Sequence, residues 1–200
     1  MPYFDHAATT PTDPRVRDHL AGVLAEGALN PSSIHRQGQR ARRMLENARE
    51  TLAEFLEIDD PDTVVFLSGA TEGANLVLRG LAHERERPLR ILTSEIEHAC
   101  VRDTVDALAE GGLAEKLELP VGEDGRPVFD NAPEADLMCL MMANNETGVI
   151  QDVAAARAWK ERTGGQWLCD ATQAVGKIPV SARELGADFL LLSGHKFHAP

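Results

Sequence analysis

The feature that most constrains the fold of this chain is the alternation of short apolar runs with longer, helix-patterned stretches. Six runs are candidate strands: residues 63–67, 90–94, 116–120, 136–142, 166–170 and 188–193. Several of them, such as DLMCLMM, are apolar throughout, which is typical of a sheet that is buried on both faces. Strands that alternate with helices over short links predict a mostly parallel α/β sheet.

Helix-patterned stretches precede and separate these runs. Asp13 followed by Pro14 is typical of an N-cap with proline at the first helical position, and Gly27 closes that helix. A polar loop is predicted over residues 30–38. Further helices are predicted over residues 39–58, 71–82, 99–110 and 153–163.

Length, charge and cysteine content narrow the class of protein. The chain has 200 residues, enough for one sizeable domain, and its net charge of −12 argues against nucleic acid or an anionic membrane as the main partner. No apolar stretch approaches the ~20 residues of a membrane span, and MPYFDHAATT has no signal-peptide pattern. The three cysteines, Cys100, Cys139 and Cys169, are too few and too dispersed for a disulfide framework, which predicts a cytoplasmic protein.

In parallel α/β sheets ligands bind at the carboxyl ends of the strands, so the residues after each run are the candidates for a ligand-binding site. After 63–67 comes SGATEGAN, in which Ala70 and Thr71 open a helix. Backbone N–H groups there can hold an anion, and the Thr71 hydroxyl adds a donor. The stretch equally fits a capping box of Ser68 and Glu72.

Polar groups also follow three other runs. His98 stands at a helix start, Asn145 lies in ANNETG, and Asp170 and Gln173 lie in DATQAVGK. Each has a purely structural alternative: a helix cap for His98, turn chemistry for the asparagines, and an N-cap for Asp170. A buried carboxylate without partners is costly, so Asp170 is expected to have a cationic partner or several donors.

The last run ends in SGHK, where Ser193 and His195 can donate to a phosphate and Lys196 is a candidate nucleophile. Taken alone, Lys196 is better explained as a solvated surface residue. A shared ligand explains the set better, because phosphate donors, an acid, an amide, a histidine and a lysine fall at one end of one sheet. A phosphate, a ring nitrogen that needs an acid and an aldehyde that needs an amine together describe pyridoxal 5′-phosphate (PLP).

A metal site is a weaker interpretation of the same residues. His195 and His198 are close in the chain, as are His98 and Cys100, but there is no compact four-ligand pattern. The sequence therefore predicts no metal.

Seven stretches in order resemble the cysteine desulfurases of the class V aminotransferase group, in the branch that serves iron–sulfur clusters and tRNA thiolation. They are YFDHAATTP, NPSSIHRQG, SGATEGANL, SEIEHACV, NNETGVIQD, DATQAVGKIPV and SGHKFHAP. The resemblance implies an aspartate-aminotransferase-like PLP fold of type I, a three-layer α/β/α structure that is truncated here. Residues 1–12 would line the active site and pack with a small domain, and residues 13–200 would form part of the large domain.

The resemblance also implies residue roles. Lys196 would be the Schiff-base lysine and would move protons at the substrate's α-carbon, Asp170 would pair with the pyridinium nitrogen, and His98 would stack on the ring and assist proton transfer. Gln173 would hydrogen-bond the phenolic oxygen, and Asn145 would lie near the cofactor and the substrate carboxylate. The matches at the phosphate would be Ala70, Thr71, Ser193 and His195.

The implied reaction converts L-cysteine to L-alanine and passes the sulfur through an enzyme cysteine to an iron–sulfur scaffold or another acceptor, in a homodimer. Family chains are about twice as long. The mobile loop with the nucleophilic cysteine and the carboxylate-binding arginine are expected to be absent, so this chain alone is predicted to be inactive. Leu29 and Ala199 stand where the family usually has glycine. Two alternatives stay open: another class V enzyme, such as a selenocysteine lyase or an aminotransferase, and a non-catalytic PLP-binding fragment.

Overall fold

A five-stranded parallel sheet forms the centre of the computed structural model, which describes residues 2–27 and 29–200. The strand order is β2-β1-β3-β4-β5, and every neighbouring pair is parallel. The strands are β1 (Leu89–Thr93), β2 (Ala114–Glu118), β3 (Leu137–Cys139), β4 (Gln166–Asp170) and β5 (Phe189–Leu191). The prediction of a mostly parallel α/β sheet is confirmed.

Helices cover both faces of this sheet. They are α1 (Pro14–Ala25), α2 (Arg36–Leu56), α3 (Ala70–His83), α4 (Ala99–Glu110), α5 (Val153–Thr163) and α6 (Ala182–Leu185). Ile91 packs into one core together with residues of α3 and α4, whereas its neighbour Leu92 packs into a second core that includes Trp159 of α5. Because successive strand residues point to opposite faces, a sheet covered on both sides needs apolar residues at every position. Among the described residues, no helix combines the length and the apolar character that a bilayer span requires.

Several predicted elements have the predicted bounds, including α4, α5 and β4. The helix α2 begins at Arg36, three residues before the predicted start at 39, and its N-cap is His35. The ring Nδ1 of His35 accepts a hydrogen bond from the N–H of Gly38 at 3.2 Å. The predicted polar loop is therefore shorter than expected.

The candidate strand at residues 63–67 is wrong. Residues Pro61–Thr63 form a 3₁₀ turn, and the following residues pair with no strand in the part of the chain that the structure describes. The side chain of Val65 is 63% exposed. Arg49 contacts this segment instead, by donating to the carbonyl of Val64 and lying 5.3 Å from the ring centroid of Phe66. An apolar β-branched run favours a strand, but only a hydrogen-bonding partner makes one.

The two ends of the chain meet beside the carboxyl end of β5. The N–H of Thr10 donates to the carbonyl of His195 at 2.8 Å, and the N–H of Asp13 donates to the carbonyl of His198 at 3.0 Å. The Thr10 hydroxyl also accepts from the N–H of His198 at 2.7 Å. These bonds hold the first residues of the chain over the edge of the sheet where the predicted site lies.

Candidate active site

A cavity of about 670 Å³ opens at the carboxyl ends of the strands. Its volume is in the range of small-molecule and cofactor sites. All the predicted cofactor residues line it: Ala70, Thr71, His98, Asn145, Asp170, Gln173, Ser193, His195 and Lys196. Parallel strands end at the same edge of the sheet, which brings together the residues that follow β1, β3, β4 and β5, and the start of α3 adds Ala70 and Thr71.

One side of the cavity is the start of α3. The N-cap residue Gly69 makes no side-chain capping bond. The first backbone hydrogen bond of the helix joins the N–H of Gly73 to the carbonyl of Gly69, at 3.2 Å. By helix geometry the N–H groups of Ala70 and Thr71 therefore have no carbonyl partner within the helix. This end of the cavity suits an anion.

The capping-box interpretation of the same stretch is also correct in part. The carboxylate of Glu72 accepts hydrogen bonds from both the N–H and the hydroxyl of Ser68, each at 2.7 Å. These two bonds lower the pKa of the Glu72 carboxyl. The negative charge of Glu72 is thus already engaged by Ser68.

Asp170 ends β4 and is only 6% exposed. Its Oδ1 accepts the N–H of Thr172 at 2.9 Å, in a local turn of the kind that the N-cap interpretation expected. The expected cationic partner is not found among the described residues, and this single backbone bond leaves most of the carboxylate's acceptor capacity unused. A buried carboxylate of this kind fits a positively charged ring nitrogen in the cavity.

Lys196 is not a solvated surface lysine. It ends the 3₁₀ turn Gly194–Lys196 that follows β5, and its Nζ donates to the carbonyls of Ala7 at 2.6 Å and Ala8 at 2.7 Å. The amide of Gln173 also donates to the Ala7 carbonyl, at 2.8 Å. The N-terminal segment therefore contacts two of the predicted cofactor residues.

His98 has the helix-capping role that its structural alternative predicted, and it also lines the cavity. It is the N-cap of α4, and its Nδ1 accepts the N–H of Cys100 at 3.1 Å. In the neutral ring the proton then lies on Nε2, which is left for a ligand in the cavity that His98 lines. Burial, followed by the charge of Asp170, raises the pKa of the neighbouring Cys100 thiol to about 11.

The two asparagines of ANNETG have different tasks. Asn144 is buried, and its Oδ1 accepts the N–H groups of Glu146 at 2.9 Å and Thr147 at 2.8 Å, while its Nδ2 donates to the carbonyl of Ile96. Asn145 lines the cavity and donates to the Glu146 carboxylate at 2.7 Å. Turn chemistry thus explains the first asparagine, and the second is free to face a ligand.

Sequence analysis missed Glu97, which is 3% exposed. Its Oε1 accepts the N–H of Met141 at 2.9 Å and the hydroxyl of Ser94 at 3.3 Å, and its Oε2 has no hydrogen-bond partner among the described residues. Burial raises the pKa of Glu97 to about 8, and the nearby charge of Asp170 adds to the shift. The sequence carries no signal of this burial. Two acids stand in the stretch SEIEH, and the structure exposes Glu95 but buries Glu97.

A parallel sheet that brings a lysine, a buried acid and an open helix start to one cavity defines an α/β protein with a site of the size and polarity that suits a small-molecule ligand. This chain belongs to the aminotransferase class-V family, whose model matches residues 2–200.

Curated relatives point to one branch of the family. The chain is 39% identical over 207 residues to a protein of Pseudomonas entomophila (strain L48) named cysteine desulfurase IscS, a match that covers 99% of this chain and 51% of the relative. It is 38% identical over 218 residues to a cysteine desulfurase of Frankia sp. (strain EuIK1), over 100% of this chain and 51% of that protein. The chain spans about half the length of the curated relatives it matches.

Solved structures agree with this placement. A NifS-like protein superposes with a TM-score of 0.90 at 35% identity, over 99% of this chain and 56% of that one. A structure described as SspA in complex with cysteine gives a TM-score of 0.92 at 29% identity, over 100% of this chain and 59% of that one. These likenesses confirm the expected PLP-enzyme fold for the part that this chain represents.

Proposed function

We propose that this chain is the PLP-binding part of a cysteine desulfurase that acts on L-cysteine. The observation that carries the proposal is the convergence of the Lys196 amine and the buried Asp170 carboxylate on one cavity, opposite the open start of α3. The names of the relatives, and the cysteine in the SspA complex, support this substrate.

The residues present fit PLP on physical grounds. The underused carboxylate of Asp170 suits a protonated ring nitrogen, and Lys196 suits an aldehyde. Phosphate would be held by the N–H groups of Ala70 and Thr71 together with Ser193 and His195, which line the same cavity. Burial, followed by the charge of Lys196, lowers the pKa of His195, so its ring is neutral near pH 7. Its Nδ1 lies 3.1 Å from the Thr9 hydroxyl; in the tautomer in which Nδ1 accepts from that hydroxyl, the ring proton is on Nε2 and can be donated to the phosphate.

When bound, PLP supplies an aldehyde that condenses with amines and a ring that draws electrons away from the substrate's α-carbon. Lys196 would hold the cofactor and then take and return the proton at that carbon. His98 would lie against the ring with its Nε2 proton available to the reacting groups. Gln173 would donate to the phenolic oxygen, and Asn145 would face the substrate carboxylate.

The sulfur-accepting thiolate is not expected among this chain's cysteines. A thiolate is the nucleophilic form of cysteine, and burial raises the pKa of all three thiols: Cys100 to about 11, and Cys139 and Cys169 well above their ordinary value. We therefore infer that a desulfurase containing this chain uses a different cysteine for the sulfur. Our proposal also includes a homodimer, a cytoplasmic location, and an iron–sulfur scaffold or other sulfur acceptor as partner.

Cofactor trapping tests the proposal. The protein is mixed with PLP, the absorbance band of the lysine adduct is recorded, and borohydride reduction is followed by peptide mapping. We expect a phosphopyridoxyl group on Lys196, no band for Lys196→Met, and an unchanged band for Lys116→Met, a surface lysine paired with Asp106 at 2.7 Å. A label on any other lysine would refute the site.

A further inference from the structure

A second cavity, of about 420 Å³, lies on the far side of Gln173. The two cavities share walls made of Ala7, Ala143, Asn145, Glu146 and Gln173. Lys177 lines only the second cavity, and its Nζ donates to the Oε1 of Gln173. The ammonium group of Lys177 therefore contacts Gln173, a residue of the proposed cofactor site, from the side of the second cavity.

The two neighbours of the Gln173 amide require the same orientation. The ammonium of Lys177 has only donors, so the atom beside it must be the carbonyl oxygen of the amide. The backbone carbonyl of Ala7 can only accept, so the atom 2.8 Å from it must be the nitrogen. The flipped amide would place two donors together at Lys177 and two acceptors together at Ala7.

We propose that Lys177 is a positioning residue that fixes the Gln173 amide with its N–H toward the cofactor cavity. This inference rests on the proposed function and deepens it. The carbonyl oxygen of Ala7 shows where the Gln173 N–H points. It accepts hydrogen bonds from the Gln173 amide at 2.8 Å and from the Lys196 ammonium at 2.6 Å. Under the proposed function, the Gln173 N–H that points here would donate to the phenolic oxygen of PLP.

Lys177 lines the wall of the second cavity, while its side chain stays exposed to solvent. Partial burial, followed by the charge of Lys196, lowers its pKa. The charged or titratable side chains that line the two cavities are Asp5, Glu72, His98, Cys100, Glu146, Asp170, Lys177, His195 and Lys196. A direct charge effect of Lys177 on the ligand must therefore be separated from its effect through Gln173.

The test is a double-mutant cycle read by absorbance. The full chain is loaded with PLP, and the pH midpoint of the cofactor band is measured for the wild type, Lys177→Met, Gln173→Leu and the double variant. Without Lys177 the Gln173 amide N–H is no longer held toward the phenolic oxygen of PLP, and the anionic form of that oxygen is less stabilised. We therefore expect Lys177→Met to raise the pH midpoint of the cofactor band by about 1 pH unit. We expect the double variant to match Gln173→Leu, and Lys177→Arg, which is also donor-only, to restore the wild-type midpoint.

Each outcome decides the question. An unshifted midpoint in Lys177→Met overturns the inference, and so does a full additional shift in the Gln173→Leu background, which would mean a direct charge effect. Lys177→Gln, whose side chain tolerates either amide orientation, gives a second measurement that does not depend on the methionine variant folding, and here too an unshifted midpoint overturns the inference. No band in the wild type refutes the proposed function and this inference together, whereas a normal band with unshifted variants refutes the inference alone.

Discussion

At the scale of single residues, Glu97 is the described acidic side chain whose pKa departs most from its ordinary value. Burial raises its pKa to about 8, so at neutral pH it carries a proton and adds no second negative charge beside Asp170. The Met141 N–H and the Ser94 hydroxyl, both bonded to Oε1, hold the carboxyl in place. A neutral Glu97 leaves Asp170 as the acid available to a cationic ligand.

Glu97→Gln should make stability less dependent on pH. The unfolded chain loses the Glu97 proton near the ordinary pKa of 4.5, whereas the native state keeps it to about 8. In that window the native state binds more protons, so the contribution of this residue to the free energy of unfolding falls as pH rises, by up to about 1.4 kcal/mol per pH unit.

Glutamine keeps the acceptor oxygen and cannot ionise, so the stability gain of Glu97→Gln over the wild type should grow from about pH 5 to about pH 8. Urea unfolding at several pH values measures this gain. Glu95→Gln, at an exposed acid two residues away, is the matched control and should show no such trend. A constant difference between wild type and Glu97→Gln across the window would contradict the prediction.

At the scale of elements, the closeness of α3 to β5 sets the position of the anion site. A Cβ added at Gly73 would lie 2.8 Å from Cδ2 of Leu191, whereas a Cβ at Gly80 would have no neighbour within 4 Å. The helix therefore approaches the strand most closely near its own start. This contact brings the first turn of α3 to the same cavity as Ser193.

Two glycine-to-alanine variants in α3 should affect stability differently, with stabilisation by Gly80→Ala and none by Gly73→Ala. Alanine favours helix over glycine by up to about 1 kcal/mol, so Gly80→Ala should stabilise the protein by roughly that amount. Gly73→Ala has the same propensity gain but forces Leu191 to move, at a cost of about 1–3 kcal/mol. Urea denaturation at one pH compares them, and equal stabilisation by both would disprove the close contact.

Local sequence patterns predict the bounds of some elements correctly and fail for others. The bounds of α4, α5 and β4 followed from local periodicity and capping, because these signals lie within the element itself. The run at 63–67 has an equally strong apolar pattern, yet its residues pair with no strand in the described ranges. Strand formation depends on a partner that is distant in sequence, and a local pattern carries no information about it.

At the scale of the whole molecule, the meeting of the two chain ends completes the site. Thr10 is 7% exposed, and its hydroxyl donates to the His195 carbonyl at 2.9 Å while accepting from the His198 N–H at 2.7 Å. This bridge holds the N-terminal segment in place, and that segment brings the Ala7 carbonyl to Lys196. The contact closes a loop of almost the full chain length.

Thr10→Val should therefore destabilise the protein by about 1–2 kcal/mol, because valine has the same shape but leaves the His198 N–H without its partner, whereas the His195 carbonyl still accepts from the Thr10 N–H. The neighbouring Thr12 is a matched control, since its hydroxyl makes no hydrogen bond among the described residues, and Thr12→Val should be close to neutral. Thermal and urea unfolding give the two values. A neutral Thr10→Val would mean that the bridge contributes nothing to stability.

The 200-residue chain, loaded with PLP and supplied with L-cysteine, should release no alanine by desulfuration. The reason is that none of its three cysteines is a ready thiolate. Alanine is quantified against a blank of free PLP and L-cysteine. Release above the blank that disappears in Lys196→Met would contradict this prediction.

The sequence by itself determined the parallel α/β class and the residues gathered at the strand ends, such as Asp170 and Lys196. It could do so because strand and helix patterns are local, and parallel strands end at one edge. Only the tertiary structure decided the burial of Glu97 and the convergence of Gln173 and Lys196 on Ala7. Those features depend on contacts between residues far apart in the chain. The fold, and not the adjacent residues in the sequence, determines how far a side chain is desolvated and which hydrogen-bond partners it has.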